Sequence, residues 1–191
     1  GTTTNSIQRQ QQVSFSTNYY ATEVRMAVKA NSTVKDLGDL NGKAVATTQG
    51  TTSDKYIKMG AKGEQVKVTN VYGKDHSDSF AMVASGRAAA FVMDDNILAG
   101  LIAKSSKPKD FKIVGPVLSS EPYGIMLPKG DAAYKAIADK VVTGMWKNGQ
   151  MAALYKKWFQ SPIPPKNINL NMPMSSSYNK LKAAPNDKGI N

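Results

Sequence analysis

Segments with strand-like and helix-like patterns alternate along residues 24–117 of this 191-residue chain, and this alternation constrains the fold more than any other feature. Each predicted strand is a short apolar or β-branched run bounded by turn-forming residues. The predicted strands are 24–31, 43–48, 65–73, 88–95 and 111–117, and the predicted helices between them are 51–60, 76–86 and 96–105. Strands joined through helices form right-handed βαβ units, so we predict an α/β fold with a central, mostly parallel sheet.

The chain becomes mainly helical after Gly130. Residues 131–149 carry apolar side chains at the spacing of one helix face, and residues 150–160 form a second such segment. The apolar positions are Tyr134, Ile137, Ala138, Val141 and Met145 in the first segment, and Met151, Leu154, Tyr155 and Trp158 in the second. Prolines exclude a helix over 161–173, because proline removes a backbone donor and fixes φ. One further short helix is predicted within 177–189.

The composition excludes several kinds of site. The chain has no cysteine and one histidine, so neither a disulfide framework nor a thiolate metal site is possible. A zinc site would need an uncommon, mostly carboxylate shell, and we therefore expect no metal and no cofactor. No apolar run approaches the ~20 residues that a membrane helix needs.

The net charge of +11 arises from 25 Lys and Arg against 14 Asp and Glu. The lysines are scattered, and the sequence contains no basic stripe interleaved with aromatic residues. The charge therefore favours a solvated surface over a nucleic-acid site. The chain starts at Gly1 without an initiator methionine or a signal peptide, so we expect a processed chain or a fragment.

Polar side chains follow three of the predicted strands at the points where helices begin. Thr51 and Thr52 lie at the first joint, His76 at the second and Asp94 with Asp95 at the third. In a parallel sheet all such joints lie at the carboxyl edge, where doubly wound folds bind ligands. We therefore expect hydroxyl, imidazole and carboxylate groups to converge on one rim.

The stretch GKDHSDSF, which contains the only histidine, admits several interpretations. A hydrolase triad needs its acid, histidine and serine to approach from separate elements, whereas Asp75, His76 and Ser77 are consecutive. The sequence also lacks a G-x-S-x-G elbow, so we predict that the protein is not an enzyme. His76 as a capping or surface residue, and Asp94 and Asp95 as simple helix caps, remain alternatives.

The N-terminal segment GTTTNSIQRQQQVSFS adds hydroxyls and a cation. Thr2 and Thr4 supply hydroxyls, and the guanidinium of Arg9 is a planar fork that suits a carboxylate. A solvated Arg9 in a polar, Gln-rich run is the alternative.

Taken together, several motifs resemble those of the periplasmic amino-acid-binding proteins of ABC importers. The motifs are GTTTN with IQRQQQVSFS, LGDLNGKAV with TQGTTSD, SGRAAAFVMDD, and KWF before the tail. Members of this family that bind glutamate or aspartate are the most similar, because they share KDHSDSF, the MDD pair and the ending PIPPKNIN…PNDK. The resemblance runs from Gly1 to Asn191.

The resemblance implies the type II periplasmic binding protein fold, in which two α/β lobes close on a ligand. Residues 24–123 would form a complete second lobe. Residues 1–23 would be a remnant of the first lobe with the first hinge strand, and 124–191 the second hinge strand with the C-terminal helices of the first lobe. The family has an N-terminal portion of the first lobe that this sequence lacks. We therefore expect exposed apolar surface, and association or domain swapping.

The resemblance also implies the ligand-binding residues. They are Thr2, Thr4, Arg9, Thr51, Thr52, His76 and Asp94. Arg9 would hold the α-carboxylate, assisted by threonine hydroxyls or nearby N–H groups, and Asp94 would accept the α-ammonium. His76 would donate to a side-chain carboxylate, either as a neutral tautomer or as imidazolium.

The function that the resemblance implies is capture of glutamate or aspartate in the periplasm, or as a secreted protein, and delivery to an ABC permease in the inner membrane. A ligand-sensing, adhesive or structural use of the same fold is the alternative.

Overall fold

The computed structural model describes residues 2–59 and 66–191. The chain divides into two compact units: unit 1 is Gly1–Thr22 with Ser120–Asn191, and unit 2 is Glu23–Ser119. Of the helices that the structure describes, none is both long and apolar enough to span a bilayer.

The strands and helices follow the predicted order. The strands are β1 (Ser14–Phe15), β2 (Tyr20–Lys29), β3 (Ala44–Thr48), β4 (Thr69–Gly73), β5 (Ala90–Asp94), β6 (Phe111–Tyr123) and β7 (Met126–Leu127). The helices are α1 (Ile7–Gln10), α2 (Thr52–Met59), α3 (His76–Ala84), α4 (Asp95–Lys104), α5 (Ala132–Lys147), α6 (Gln150–Phe159) and α7 (Ser176–Ala183). The predicted end of α2 at Gly60 and the predicted start of β4 at Gln65 lie outside the described residues.

The central sheet has five strands in the order β4-β3-β5-β2-β6. β3 runs parallel to both β4 and β5, as the βαβ pattern predicts, but β2 pairs antiparallel with β5. The connection from β2 to β3 contains only a short 3-10 turn, Gly38–Leu40, where a parallel crossover would usually contain a full helix. The sheet is therefore mixed: β4, β3 and β5 run parallel on one side of it, and β2 runs in the opposite direction.

The two faces of the sheet are both apolar, because successive side chains of a strand point to opposite faces. On β5, Ala90 and Val92 pack in one cluster with Val45 and Ile57. The other cluster joins strand residues to α3 and α4, and comprises Ala27, Ala46, Phe80, Met82, Val83, Ala88, Phe91, Met93 and Leu98. Both clusters lie within unit 2, so the start of each helix is held firmly against the end of its strand.

Unit 1 has an aromatic core of its own. Tyr20, Tyr123, Tyr155 and Tyr178 are buried together, and the rings of Tyr155 and Tyr178 lie 4.5 Å apart between centroids. Buried phenols need hydrogen-bond acceptors. The hydroxyl of Tyr155 donates to the carbonyl of Pro173 at 2.9 Å and that of Tyr178 to the carbonyl of Met151 at 3.2 Å. Burial raises the pKa of Tyr178 to about 12, so this phenol stays protonated.

The apolar face predicted for α5 is exposed over much of its length. Tyr134, Ile137 and Val141 are 51%, 63% and 56% exposed, whereas Val142 on the adjoining face is buried. Helical spacing therefore predicted the helix correctly, but only part of its apolar surface is packed. Exposed apolar stripes of this kind favour association.

The first prediction concerns Gly73, the last residue of β4. A Cβ at this position would lie 2.4 Å from both the backbone nitrogen and the hydroxyl of Ser79. Because a backbone atom cannot yield cheaply, Gly73→Ala should lower the free energy of unfolding by about 1–3 kcal/mol in urea denaturation. Gly100→Ala is the control, since a Cβ there meets nothing within 4 Å and should stabilise α4 by about 0.5–1 kcal/mol. Equal effects of both changes would contradict this reading of the β4–α3 joint.

The second prediction concerns the apolar stripe of α5. We expect the chain to associate with increasing concentration in light scattering, because Ile137 and Val141 are both more than half exposed. The pair Ile137→Glu with Val141→Glu should shift the chain to a monomer. Lys140→Glu lies on the same helix but outside the stripe, and should leave association in place. A wild-type monomer at all concentrations would refute the expectation.

Candidate functional site

The three polar joints of unit 2 lie at one edge of the sheet. β3, β4 and β5 are parallel and lead directly towards α2, α3 and α4, so their carboxyl ends point the same way. Thr52 begins α2, His76 begins α3 and Asp94 ends β5. The topology thus gathers three of the predicted site residues at a single rim.

Hydrogen bonds of the Thr51 hydroxyl and the conformation of Gly50 define the loop between β3 and α2. Gly50 has a φ of +77°, which glycine adopts without strain. The hydroxyl of Thr51 donates to the carbonyl of Thr48 at 2.7 Å and accepts from the backbone N–H of Asp54 at 3.4 Å. Thr51 therefore forms the turn, and Thr52, half-buried at the first position of α2, contributes an early helical N–H.

Asp54 is a buried carboxylate that sequence reasoning did not single out. Its Oδ1 accepts from the amide of Asn70 at 2.7 Å and the hydroxyl of Tyr72 at 3.1 Å. It also lies 3.3 Å from the hydroxyl of Thr47, whose shorter contact, 2.8 Å, is with Oδ1 of Asn70. These contacts attach the first turn of α2 to β3 and β4. The signal in the sequence is the pattern Thr51-x-x-Asp54, which resembles a capping box.

His76 is half-buried at the start of α3. The N-cap is Asp75, whose Oδ1 accepts from the backbone N–H of Asp78 at 2.8 Å, so the alternative that His76 itself caps the helix is wrong. Nδ1 of His76 lies 2.9 Å from the hydroxyl of Thr48. Burial lowers the pKa of His76, and the negative charge of Asp75 partly opposes this.

The geometry around His76 differs from a hydrolase triad. Its Nδ1 contacts a hydroxyl where a triad would place a carboxylate, and Ser77 is exposed. The hydroxyl of Thr48 is in turn 2.9 Å from that of Ser79, which is completely buried. Neither Thr48 nor Ser79 was predicted as a site residue, because each becomes significant only through contacts with elements distant in sequence.

Asp94 and Asp95 have different environments. Asp94 is only 2% exposed and makes no side-chain cap to α4, although it stands at the N-cap position. Asp95 is half-buried, and its Oδ1 accepts from the backbone N–H groups of Glu23 at 3.2 Å and Asn96 at 2.8 Å. The simple-cap alternative thus fits Asp95 better than Asp94.

The predicted residues of unit 1 lie in and beside the short helix α1. Thr4 is buried and donates its hydroxyl proton to Oε2 of Glu121 at 2.6 Å. Arg9 is half-buried, and its Nη1 donates to the carbonyl of Thr4 at 2.9 Å. The guanidinium has five N–H donors, and this bond uses one of them. Thr2 is exposed.

Within residues 2–59 and 66–191, no group of three or more His, Cys, Asp or Glu side chains is placed to hold a metal ion.

Comparison with known proteins identifies relatives along the whole chain. The sequence profile of the bacterial extracellular solute-binding proteins, family 3, matches residues 1–161. An L-glutamate/L-aspartate-binding protein of Pseudomonas aeruginosa is 45% identical over 188 residues, which are 98% of this chain and 62% of the relative. A glutamate/aspartate import solute-binding protein of Salmonella typhimurium is 41% identical over 191 residues, covering 100% of this chain and 63% of the relative. The chain therefore spans less than two thirds of these relatives.

Solved structures give the same fold. The ligand-binding core of GluR0 from Nostoc punctiforme, in complex with L-glutamate, superposes with a TM-score of 0.71 at 28% identity, over 83% of this chain and 71% of that one. A mutant of ArgBP from T. maritima gives a TM-score of 0.72 at 31% identity, over 83% and 67%. These likenesses confirm the predicted α/β fold class.

Proposed function

Because the chain belongs to family 3 of the bacterial extracellular solute-binding proteins, we propose that it is the ligand-binding region of a receptor for an acidic amino acid, glutamate or aspartate. The relatives from P. aeruginosa and S. typhimurium, which are named for these two ligands, support this choice. In this proposal the receptor works in the periplasm or as a secreted protein and delivers its ligand to an ABC permease.

The observation that carries the proposal is the presence of Asp94 and His76 at one edge of the parallel strands. An α-amino acid presents an ammonium next to a carboxylate, and its site therefore needs a fixed negative group as well as donors. The almost completely buried carboxylate of Asp94 suits the ammonium. An acidic side chain adds a second carboxylate, which His76 is suited to bind when its ring is protonated.

In this proposal Arg9 and Thr4 bind the α-carboxylate. Arg9 supplies the guanidinium fork, and Thr4 holds it through the carbonyl that accepts from Nη1. Because the hydroxyl proton of Thr4 is given to Glu121, the group that Thr4 offers the α-carboxylate is its backbone N–H. Thr2 remains a proposed contact, and Thr51 and Thr52 are proposed to contribute backbone N–H groups.

The expected affinity follows from these charges. A hydrogen bond to a charged group contributes roughly 1.5–3 kcal/mol net. Four such bonds at the upper end of this range sum to about −12 kcal/mol. After costs of about 4 kcal/mol for ordering the ligand and the protein, about −8 kcal/mol is left, which corresponds to micromolar binding. No bond chemistry is part of this function, since the ligand is captured and released unchanged.

The two compact units support the assignment of two lobes. Unit 2, Glu23–Ser119, agrees with most of the predicted second lobe 24–123, and residues 120–123 group with unit 1. Residues 1–22 and 120–191 would belong to the first lobe, with β2 and β6 as the strands in which the boundaries fall.

A ligand-sensing use of the same fold is the second candidate. The GluR0 ligand-binding core, which was solved with L-glutamate, has the same fold, and its ligand fits both candidates. Both candidates bind the same class of ligand, and they differ in whether an ABC permease is the partner. Uptake of labelled glutamate by cells that lack the receptor gene separates them: loss of uptake supports import, and unchanged uptake supports sensing.

The third prediction tests ligand class. Isothermal titration of the full-length protein should give micromolar or tighter binding of glutamate or aspartate and weaker binding of glutamine, because the amide of glutamine lacks the second negative charge. Binding of glutamine with no heat from either acid would reject the acidic preference.

The fourth prediction tests the ammonium partner. Asp94→Ala should weaken glutamate binding at least about 100-fold, because the ligand ammonium would lose its counter-charge in a desolvated site. Asp95→Asn is the matched control: its carboxylate accepts from backbone N–H groups, and affinity should change less than about threefold. Unchanged affinity in the Asp94 variant would place the ammonium elsewhere.

A further inference from the structure

Three side chains from two elements form a continuous hydrogen-bonded chain at the rim of unit 2. Nδ1 of His76 is 2.9 Å from Oγ1 of Thr48, and Oγ1 of Thr48 is 2.9 Å from Oγ of Ser79. Thr48 ends β3, whereas His76 and Ser79 lie on the first turn of α3. The distances do not say which atom of each pair carries the proton. The other hydrogen-bond contacts of Ser79 do.

Ser79 decides the direction at one end. Its hydroxyl oxygen lies 3.0 Å from the carbonyl oxygen of Asp75 and 3.1 Å from that of Thr47. A carbonyl oxygen only accepts, and a serine hydroxyl has one proton. That proton therefore points to a carbonyl, since the opposite arrangement would place the lone pairs of Ser79 against two acceptors. Ser79 must then accept from Thr48.

The proton direction at Ser79 fixes the directions at Thr48 and His76. If the hydroxyl proton of Thr48 is donated to Ser79, the oxygen of Thr48 faces His76 with lone pairs alone. Nδ1 of His76 must then carry a proton and donate it to Thr48. In a neutral imidazole only one nitrogen carries a proton, so Nε2 of the neutral ring is an acceptor. Among the described residues, Nε2 makes no hydrogen bond of its own.

We propose that Thr48 and Ser79 are positioning residues that hold neutral His76 as the Nδ1–H tautomer, so that a ligand carboxylate at Nε2 binds only with uptake of one proton. This inference rests on the proposed function, which places the side-chain carboxylate of an acidic amino acid at His76. Of the two donor forms considered for His76, neutral tautomer or imidazolium, the hydrogen-bonded chain selects imidazolium.

The groups around His76 agree with a neutral ring before ligand binds. The neighbouring groups from β3 and α3, Thr48 and Ser79, are uncharged. Asp75, the N-cap of α3, is the charged group that favours imidazolium, and its carboxylate is directed to the N–H of Asp78. The other acid of this turn, Asp78, accepts from the backbone N–H of Lys74 at 3.0 Å. Burial outweighs Asp75, so the pKa of His76 is lowered.

Affinity for an acidic amino acid should fall as the pH rises above the pKa of His76 in the free protein. Below the pKa of His76 in the free protein the ring is already protonated, and affinity for an acidic amino acid is independent of this group. Above that pKa each ligand must bring a proton, so Kd should rise by up to about tenfold per pH unit. A ligand amide has N–H donors, and the neutral ring accepts from it without proton uptake. Selectivity for acid over amide should therefore fall as pH rises.

The first experiment observes the tautomer directly. His76 is the only histidine in the chain, so a long-range ¹H–¹⁵N spectrum of its imidazole is free of overlap. At a pH above the histidine pKa, the neutral ring should show a protonated Nδ1 and an unprotonated Nε2. Ser79→Ala removes the acceptor for Thr48 and should shift population to the Nε2–H tautomer, whereas Ser77→Ala, on the exposed neighbour, should not. A wild-type ring protonated on Nε2 would overturn the inference.

The second experiment measures proton linkage in the full-length protein. Titrations of glutamate from about pH 5 to about pH 8 should give a slope of log Kd against pH that approaches one above the histidine pKa. Ser79→Ala should reduce this slope by at least half, Thr48→Ser should preserve it, and Ser77→Ala should leave it unchanged. A wild-type Kd that does not vary with pH would overturn the inference while leaving the proposed function intact. Absence of glutamate and aspartate binding at every pH would overturn the proposed function. The NMR spectrum of the first experiment would still test the tautomer of His76 on its own.

Discussion

The parallel pairing of β3 with both β4 and β5 is the constraint on which the rest of unit 2 depends. Because the three strands run in the same direction, the helices that follow them all begin at one edge. Each helix start brings N–H groups and one or two polar side chains to that edge. Two apolar clusters, one on each face, hold this arrangement in place.

The polar groups at this edge are held in place by further hydrogen bonds to side chains and backbone groups that do not themselves face the ligand. Asp54 accepts hydrogen bonds from Asn70 and Tyr72 of β4, and Ser79 contacts two carbonyl oxygens and Thr48. A polar atom buried without partners would cost free energy, so such groups must be paired when the helices pack. The same bonds orient the groups that face a ligand. Packing against Ser79 also explains why β4 ends in Gly73, where a side chain would collide with the helix.

The chemistry proposed for this protein depends on where protons and charges are held, since no covalent step is involved. In the proposal, Asp94 binds the ligand ammonium and the guanidinium of Arg9 binds the α-carboxylate. His76 is a different kind of group, because an imidazole changes its charge near neutral pH. Its surroundings therefore decide whether it acts as a donor or an acceptor, and through that choice they affect which side chain of a ligand is preferred.

The amino-acid sequence by itself determined the alternation of strands and helices, the short helix α7 and the three polar joints, because periodicity, helix caps and prolines act over a few residues. It did not determine that β2 would be antiparallel, since strand direction depends on how a connection crosses the sheet. Nor did it determine that Val142 would be buried while Val141 is exposed, because neighbouring helix faces carry similar side chains. The proton direction from His76 to Ser79 depended entirely on tertiary structure: Thr48 is remote from both in sequence, and a hydroxyl becomes a donor or an acceptor only when its neighbours are in place.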